Sequence, residues 1–238
     1  MAEIRRYLSE RHAQATRGAE RGVGAAVLRK VSTHSFRQTA KLKGTRLVHP
    51  LSRRRIASLP PGPQKLHLGS AGNYLEGWVN VDLIGMEADV TWDLRSGIPF
   101  PDGSAEAVVL EHVIEHFTLA DDLDLLAECF RVLAPGGLVR LGVPDFGRYI
   151  ESYAGDGSFI DEVRPGRPTR LLALGEVALS HGHRSVWDGE TLARVLTESG
   201  FEGARVCAWG ESELVPAPDS KRREAESVYA EARKPSGR

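Results

Sequence analysis

Seven short apolar segments, each the length of a β-strand, alternate with helical patterns over most of the chain. They are Lys65–Leu68, Trp78–Leu83, Ala88–Trp92, Ala105–Leu110, Leu138–Val143, Ala204–Trp209 and Ser227–Glu231. Strands that alternate with helices are typical of parallel sheets, because a parallel connection needs a long and usually helical crossover. The pattern therefore predicts an α/β fold with a doubly wound, mostly parallel sheet. Ligands of such sheets bind at the carboxyl ends of the strands.

Two helices are predicted most clearly. The first carries one apolar stripe at helical spacing, formed by Leu119, Leu123, Leu126, Ala127 and Phe130. Thr118 is its expected N-cap, and Pro135-Gly136-Gly137 is expected to stop it. The second helix is predicted from Gly189 to Ser199, between Asp188 as the cap and Gly200 as the closing residue.

The charge of the chain is unevenly divided. Residues 1–60 carry 14 Lys and Arg against 3 Asp and Glu, whereas the remainder carries 17 against 29. The breaker cluster at residues 60–63 separates the two parts. We therefore predict a basic, partly helical N-terminal extension over residues 1–60, and a domain over residues 64–238. Weak helical patterns in the extension cover Ile4–Ala15, Gly24–Val31 and Ser35–Lys43.

Three roles are open for the extension: packing on the domain, contact with an anionic membrane surface, and contact with RNA phosphates. Its aromatic residues, Tyr7 and Phe36, are not interleaved with the charges as base stacking would require, so nucleic acid is the less favoured partner. The two cysteines, Cys129 and Cys207, form no metal-ligand or redox spacing and fit a reducing compartment. No export signal is recognisable, so we expect a cytoplasmic protein, peripheral to the inner face of the membrane if the extension binds lipid.

Polar and glycine residues follow four successive predicted strands. Gly69-Ser70-Ala71-Gly72 comes after the first strand, where glycines allow a tight turn and a close approach of ligand. A plain turn explains that segment equally well. Asp82 ends the second strand and is placed to accept hydrogen bonds from ribose hydroxyls, although a turn cap is the alternative. Asp93-Leu94 follows the third strand, and Glu111 ends the fourth.

These residues resemble the class I S-adenosylmethionine-dependent methyltransferases. The resemblance covers about three-quarters of the chain and is closest to a small-molecule and surface-saccharide branch with an L-G-x-x-x-N…G-W-x-N-x-D segment. The matching stretches read LHLGSAGNYLEGWVNVDL, FPDGSAEAVVLEHVIEHF, ECFRVLAPGGLVRLGVPD, HGHRSVWDGETLARVLTESGF and SVYAEARKP. The resemblance implies a Rossmann-like sheet of strand order 3-2-1-4-5-7-6 whose last strand is antiparallel.

The same resemblance implies a site for S-adenosylmethionine. Gly69, Ser70, Ala71 and Gly72 would line its methionine end, Asp82 and Leu83 its ribose, Asp93 and Leu94 its adenine, with Glu111 beside it. Two features depart from the family: Ser70-Ala71 replace the middle of its G-x-G, and Asp82 follows Gly69 by only thirteen positions. A spacing this short leaves almost no room for a crossover helix.

Residues of the acceptor site are predicted at the same edge. His183 is a candidate general base, and His116 and Asp145 are further catalytic candidates. His181, Arg184 and Tyr149 are candidate acceptor contacts, since an arginine can hold an anionic acceptor through its forked donors. The alternative is that these side chains only satisfy loop backbone or pack.

His112-Val113-Ile114-Glu115-His116 spells H-x-x-E-H, an inverted zinc-peptidase motif. That motif needs a helix that presents both imidazoles on one face, whereas this segment emerges from a strand. No metal ligand is therefore predicted.

The sequence thus predicts a methyltransferase of a small-molecule or saccharide acceptor, either free or lipid-linked. An RNA methyltransferase that uses the basic extension, and a non-catalytic binding protein of the same fold, are the alternatives.

Overall fold

The computed structural model describes residue 6 and residues 34–237. Its strands are β1 (Gln64–Leu68), β2 (Val79–Asp82), β3 (Val90–Thr91), β4 (Ala105–Glu111), β5 (Leu133–Pro144), β6 (Glu202–Cys207) and β7 (Ser227–Arg233). They form one sheet in the order β3-β2-β1-β4-β5-β7-β6. Pairs among the first five strands are parallel, and β7 is antiparallel to both β5 and β6. The predicted Rossmann-like strand order is confirmed.

The helices of the described residues are α1 (His34–Leu47), α2 (His49–Ala57), α3 (Leu119–Val132), α4 (Phe146–Ala154), α5 (Ser158–Val163), α6 (Arg170–Leu179) and α7 (Gly189–Glu198). Both predicted helices are present with their predicted caps. Thr118 Oγ1 accepts from the backbone N–H of the third residue of α3 at 3.3 Å, and Asp188 caps α7 in the same way at 2.8 Å. Helices α4, α5 and α6 were not predicted.

One face of the sheet is apolar and is covered by α3 and α7. Side chains alternate between the two faces of a strand, so every second residue of the central strands points into this layer. The layer includes Leu66 and Leu68 of β1, Val108 and Leu110 of β4, and Leu141 of β5, each at most 1% exposed. This layer is the main hydrophobic core.

The opposite face carries buried polar side chains and is covered by a loop. We call residues 208–226, which connect β6 to β7, the cover loop. Arg140 on β5 donates to both carboxylate oxygens of Asp219 in this loop, at 2.7 and 2.6 Å, and to Glu231 on β7 at 3.0 Å. Because a buried charge is costly unless it is paired, this arginine fixes the cover loop to the sheet.

The described part of the basic extension packs on the β2–β3 edge. Ser52 on α2 donates to the Thr91 carbonyl at 2.7 Å, and the His49 ring stacks on Trp92 with centroids 3.5 Å apart. The predicted helical pattern Ser35–Lys43 lies within α1. The patterns at Ile4–Ala15 and Gly24–Val31 lie outside the described residues, apart from Arg6, which is helical. Within residue 6 and residues 34–237, no helix is long and apolar enough to cross a membrane.

The connection between β1 and β2 is as short as its spacing predicted. Residues 69–78 contain turns and no helix. The face that a crossover helix would cover there carries His67 and Asn80, which bond to each other at 3.1 Å. The absence of this helix leaves the tips of β1 and β2 open to the cover loop.

Candidate functional site

The loop after β1 turns sharply against the loop after β4. Gly69 has φ +75°, and its amide donates to the Val81 carbonyl at 2.7 Å. A Cβ atom built at this glycine would lie 2.4 Å from Val113 Cγ2, so the residue must be glycine for the two loops to meet. Gly72 has φ +80° with open space around it. The interpretation of this segment as a close-approach loop therefore fits the structure.

Asp82 holds the same loop from the tip of β2. Its Oδ2 accepts from the Ala71 amide at 2.6 Å, and its Oδ1 accepts from the Leu83 amide at 2.6 Å. The residue is half-buried. Each oxygen of a carboxylate accepts more than one hydrogen bond, so both can also take a ligand hydroxyl. The structure thus brings together Ser70, Ala71, Asp82 and Leu83, as predicted from the sequence.

An unpartnered donor lies in the loop after Gly72. Asn73 Nδ2 is buried and has no hydrogen-bond partner among the described residues. A buried donor without a partner is costly, so this amide is left for an acceptor beyond the described residues. Arg222, from the cover loop, donates to the Ala71 carbonyl at 3.4 Å and brings a cation to the same loop.

Asp93, at the end of β3, is 1% exposed and paired with two arginines. Arg46 of α1 donates to its Oδ2 at 2.9 Å, and Arg95 donates to its Oδ1 at 2.8 Å. Burial opposes ionisation here, but the hydrogen bonds from Arg95 and Arg46 hold the pKa of Asp93 below its ordinary value. Leu94, which follows, is half-buried against the main core. Both oxygens of Asp93 are thus engaged by arginines, one of them from the extension, and its predicted place with Leu94 at an adenine border stays a prediction.

Glu111, at the end of β4, faces the cover loop. Its Oε1 accepts from the Ser220 amide at 2.9 Å and from the Tyr229 hydroxyl at 2.8 Å, and its Oε2 accepts from the Ser220 hydroxyl. Glu111 is 8% exposed, and its carboxylate joins β4, β7 and the cover loop. In this conformation it holds the cover loop, and its predicted place beside a cofactor stays a prediction.

The three predicted histidines, His116, His181 and His183, lie close to one another, near the loop after β4. The rings of His116 and His183 lie 5.0 Å apart edge to face, and His181 lies 5.9 Å from His183. Arg184 is exposed, and its amide donates to the Glu115 carbonyl at 2.7 Å. The loop before α7 is thereby fixed against the turn after β4.

Asp145 and Tyr149 have structural contacts in this conformation. Asp145 caps α4 by accepting from the Arg148 amide at 3.1 Å. Tyr149 is 0% exposed and packs on Phe159 in a second small core, with its hydroxyl donating to Glu226 at 3.1 Å. Because the side chain of Tyr149 is sealed in this core, the structure favours the packing alternative over the predicted contact with an acceptor.

Comparison with known proteins finds a partial match to methyltransferase domains. Residues 81–141 match the family model of a methyltransferase domain. Over 57 residues the chain is 44% identical to a probable S-adenosylmethionine-dependent methyltransferase of Mycolicibacterium smegmatis, a match that covers 22% of this chain and 21% of the relative. The chain thus spans about a fifth of the length of the curated relative it matches.

Two solved structures are similar at low identity. A SAM-dependent methyltransferase from Archaeoglobus fulgidus is 16% identical, with a TM-score of 0.46 over 85% of this chain and 100% of that one. A phosphoethanolamine N-methyltransferase of Haemonchus contortus, in complex with S-adenosyl-L-methionine, is 15% identical, with a TM-score of 0.45 over 79% of this chain and 52% of that one. The strand order of the sheet gives the Rossmann-like α/β fold, and the family model gives the similarity to methyltransferase domains over residues 81–141, which contain β4 and the tips of β2 and β3.

Proposed function

We propose that this chain is a class I S-adenosylmethionine-dependent methyltransferase that acts on a small-molecule or saccharide acceptor. The observation that carries the proposal is the carboxylate of Asp82 at the tip of β2, bonded to the loop that Gly69 and Gly72 shape. The methyltransferase-domain match over residues 81–141, which begins at this strand tip, supports it.

The residues present fit S-adenosylmethionine. Asp82 would accept hydrogen bonds from the ribose hydroxyls, and the unpartnered Asn73 amide would donate to the carboxylate of the methionyl group. The open space beside Gly72 leaves room for a ligand against the backbone. When bound, S-adenosylmethionine supplies a methyl group that is already activated on a sulfonium.

The chain itself then has to align the acceptor and exclude water. We place the acceptor beside His181, His183 and Arg184, on the far side of the loop after β4. The exposed guanidinium of Arg184 suits an anionic group, such as the phosphate of a lipid-linked saccharide. The resemblance of the L-G-x-x-x-N…G-W-x-N-x-D segment to a saccharide-associated branch supports this acceptor class. General-base roles for His183, His116 and Asp145 stay predictions.

Calorimetric titration of the full chain with S-adenosylhomocysteine tests the cofactor assignment. We expect micromolar binding that Asp82→Asn weakens about tenfold or more, because hydrogen bonds to charged groups contribute roughly 1.5–3 kcal/mol. Asp124→Asn, on the exposed side of α3, is the matched control and should bind as the parent does. Absence of binding by a folded sample, or an equal loss in both variants, contradicts the proposal.

Acceptors can then be screened with S-adenosylmethionine that carries a labelled methyl group. We expect label transfer to free or lipid-linked saccharides and a raised KM for an anionic acceptor in Arg184→Gln. Transfer to RNA alone would replace the acceptor class while leaving the cofactor assignment intact.

A further inference from the structure

Three potential metal ligands converge beside the loop after β4. Glu115, His116 and His183 each offer one ligand atom, and these atoms all lie within 4.8 Å of one another. Two of them come from the turn Ile114–His116, and the third comes from the loop before α7. The backbone bond from Arg184 to Glu115 holds these two segments together at 2.7 Å.

The carboxylate of Glu115 is buried without a hydrogen-bond partner. The residue is 1% exposed, and neither Oε1 nor Oε2 has a hydrogen-bond partner among the described residues. Buried carboxylates of this kind are found paired or coordinated to a cation.

The imidazoles are oriented as metal ligands are. His183 Nδ1 lies 2.6 Å from the Val177 carbonyl, which only accepts, so Nδ1 carries the proton and Nε2 keeps its lone pair. The His116 ring lies edge to face against the His183 ring, with centroids 5.0 Å apart. Metal-binding histidines usually hold their second ring nitrogen on a carbonyl or carboxylate, which fixes the tautomer.

A fourth group and a small cavity adjoin the cluster. His112 Nδ1 lies 3.2 Å from Glu115 Oε1, while its Nε2 is bonded to the Ser227 hydroxyl at 2.7 Å. A cavity of about 10 Å³, lined among others by Glu115, His183 and Trp187, lies next to it. The cavity is close to the size of one water molecule, so there is room for a single small occupant beside Glu115 and His183.

We propose that Glu115, His116 and His183 bind a divalent first-row transition-metal cation. Two imidazoles and one carboxylate suit zinc, manganese, iron or cobalt, whereas magnesium and calcium prefer oxygen ligands alone. Three protein ligands leave at least one coordination position open, as in catalytic metal sites. The H-x-x-E-H pattern pairs His112 with His116 on one helix, and the structure instead pairs His116 with His183 from a different segment. The sequence predicted no metal ligand because the segment emerges from a strand, and the H-x-x-E-H pattern does not include His183.

Cobalt titration of the metal-free, untagged full chain tests this proposal. We expect one Co²⁺ per chain, with visible ligand-field bands that Zn²⁺ displaces. Glu115→Gln and His183→Gln should each weaken Co²⁺ binding by more than ~100-fold. That loss exceeds the loss seen when a residue that only hydrogen-bonds to a metal ligand is removed. His49→Gln is the matched control, because His49 stacks on Trp92 outside the cluster, and it should bind as the parent does.

Thermal melting separates loss of the site from loss of the fold. Glu115 meets His112 at 3.2 Å but accepts no well-formed hydrogen bond in the metal-free chain, and glutamine has nearly the same shape, so metal-free Glu115→Gln should keep the melting temperature of the parent. Added Zn²⁺ should raise the melting temperature of the parent and leave that of Glu115→Gln unchanged. Failure to bind Co²⁺, or equal binding by the parent and both ligand variants, overturns the proposal.

Discussion

Replacing Gly69 with alanine adds two separable costs to the folded state. The backbone at this position is left-handed, with φ +75°, which costs an alanine about 1–2 kcal/mol. The new Cβ would also lie 2.4 Å from Val113 Cγ2, and overpacking of this kind costs about 1–3 kcal/mol. We therefore expect Gly69→Ala to lower the free energy of unfolding by about 2–5 kcal/mol.

Gly72→Ala is the matched control. Its φ of +80° gives the same backbone cost, but no atom lies within 4 Å of the added Cβ. This variant should lose only about 1–2 kcal/mol. The free energies can be measured by urea denaturation followed by circular dichroism, and the difference between the two variants isolates the contact with Val113.

A double-mutant cycle with Val113→Ala completes the test. Shortening Val113 removes the atom that the new Cβ would meet, so Gly69→Ala in this background should cost no more than Gly72→Ala does. The interaction energy should then be about 1–3 kcal/mol, within the range seen for residues in contact. An equal penalty in both backgrounds, or no excess over Gly72→Ala, would refute the packing of the β1 loop on the loop after β4.

Three further predictions follow from other parts of the molecule. Arg140→Met removes the ion-pair partner of the buried Asp219 carboxylate and one of the two partners of Glu231, which keeps Arg205, and should cost about 3–5 kcal/mol in urea denaturation, so a loss below 1 kcal/mol would contradict the burial of this network. Burial raises the pKa of Asp122 to about 8, so the folded chain keeps a proton that the unfolded chain releases. The free energy of unfolding should therefore fall by up to ~1.4 kcal/mol per pH unit between about pH 4 and pH 8. Asp122→Asn should remove the contribution of this group to that slope in chelator-treated protein. Arg54 and Arg55 are exposed on α2 near Leu51, which is 63% exposed. The double variant Arg54→Gln with Arg55→Gln should bind phosphatidylserine vesicles about tenfold or more weakly in a sedimentation assay, at ~1 kcal/mol per arginine. Equal binding by the parent and the double variant would exclude this surface as a membrane contact.

The sheet was predictable because its signal is local. Alternating apolar residues mark each strand, and the predicted segments overlap all seven strands. The boundaries differ by several residues at β5, which begins at Leu133 rather than Leu138 because the Pro135-Gly136-Gly137 segment continues the strand.

Helices α4 to α6 were missed for a physical reason. They contain 9, 6 and 10 residues, and α7, which also has 10, was predicted because Asp188 and Gly200 bracket it in the sequence. Their apolar side chains also serve a second small core around Tyr149, Phe159 and Ile160 rather than the main sheet. A short helix that packs on other short helices carries little signal in the sequence.

The sequence predicted only those parts of the candidate site that the order of the strands is sufficient to position. Parallel strands bring Gly69, Asp82 and Asp93 to one edge, whatever the side chains then contact. The partners of these residues come from distant parts of the chain: Arg46 reaches Asp93 across 47 positions. His183 likewise meets His116 from the far side of helices that the sequence did not reveal. Such contacts depend on how loops pack, which no local pattern encodes.

The position of β7 has a consequence for synthesis on the ribosome. β7 follows β6 along the chain but lies between β5 and β6 in the sheet. A nascent chain that has emerged only as far as the cover loop therefore has β6 without its neighbour, β5 with one open edge, and Arg140 without Glu231. Open edges of this kind recruit strands from other chains. Residues 227–233 pair with both β5 and β6, so the seven residues of β7 cover the open edge of β5 and join β6 to the sheet.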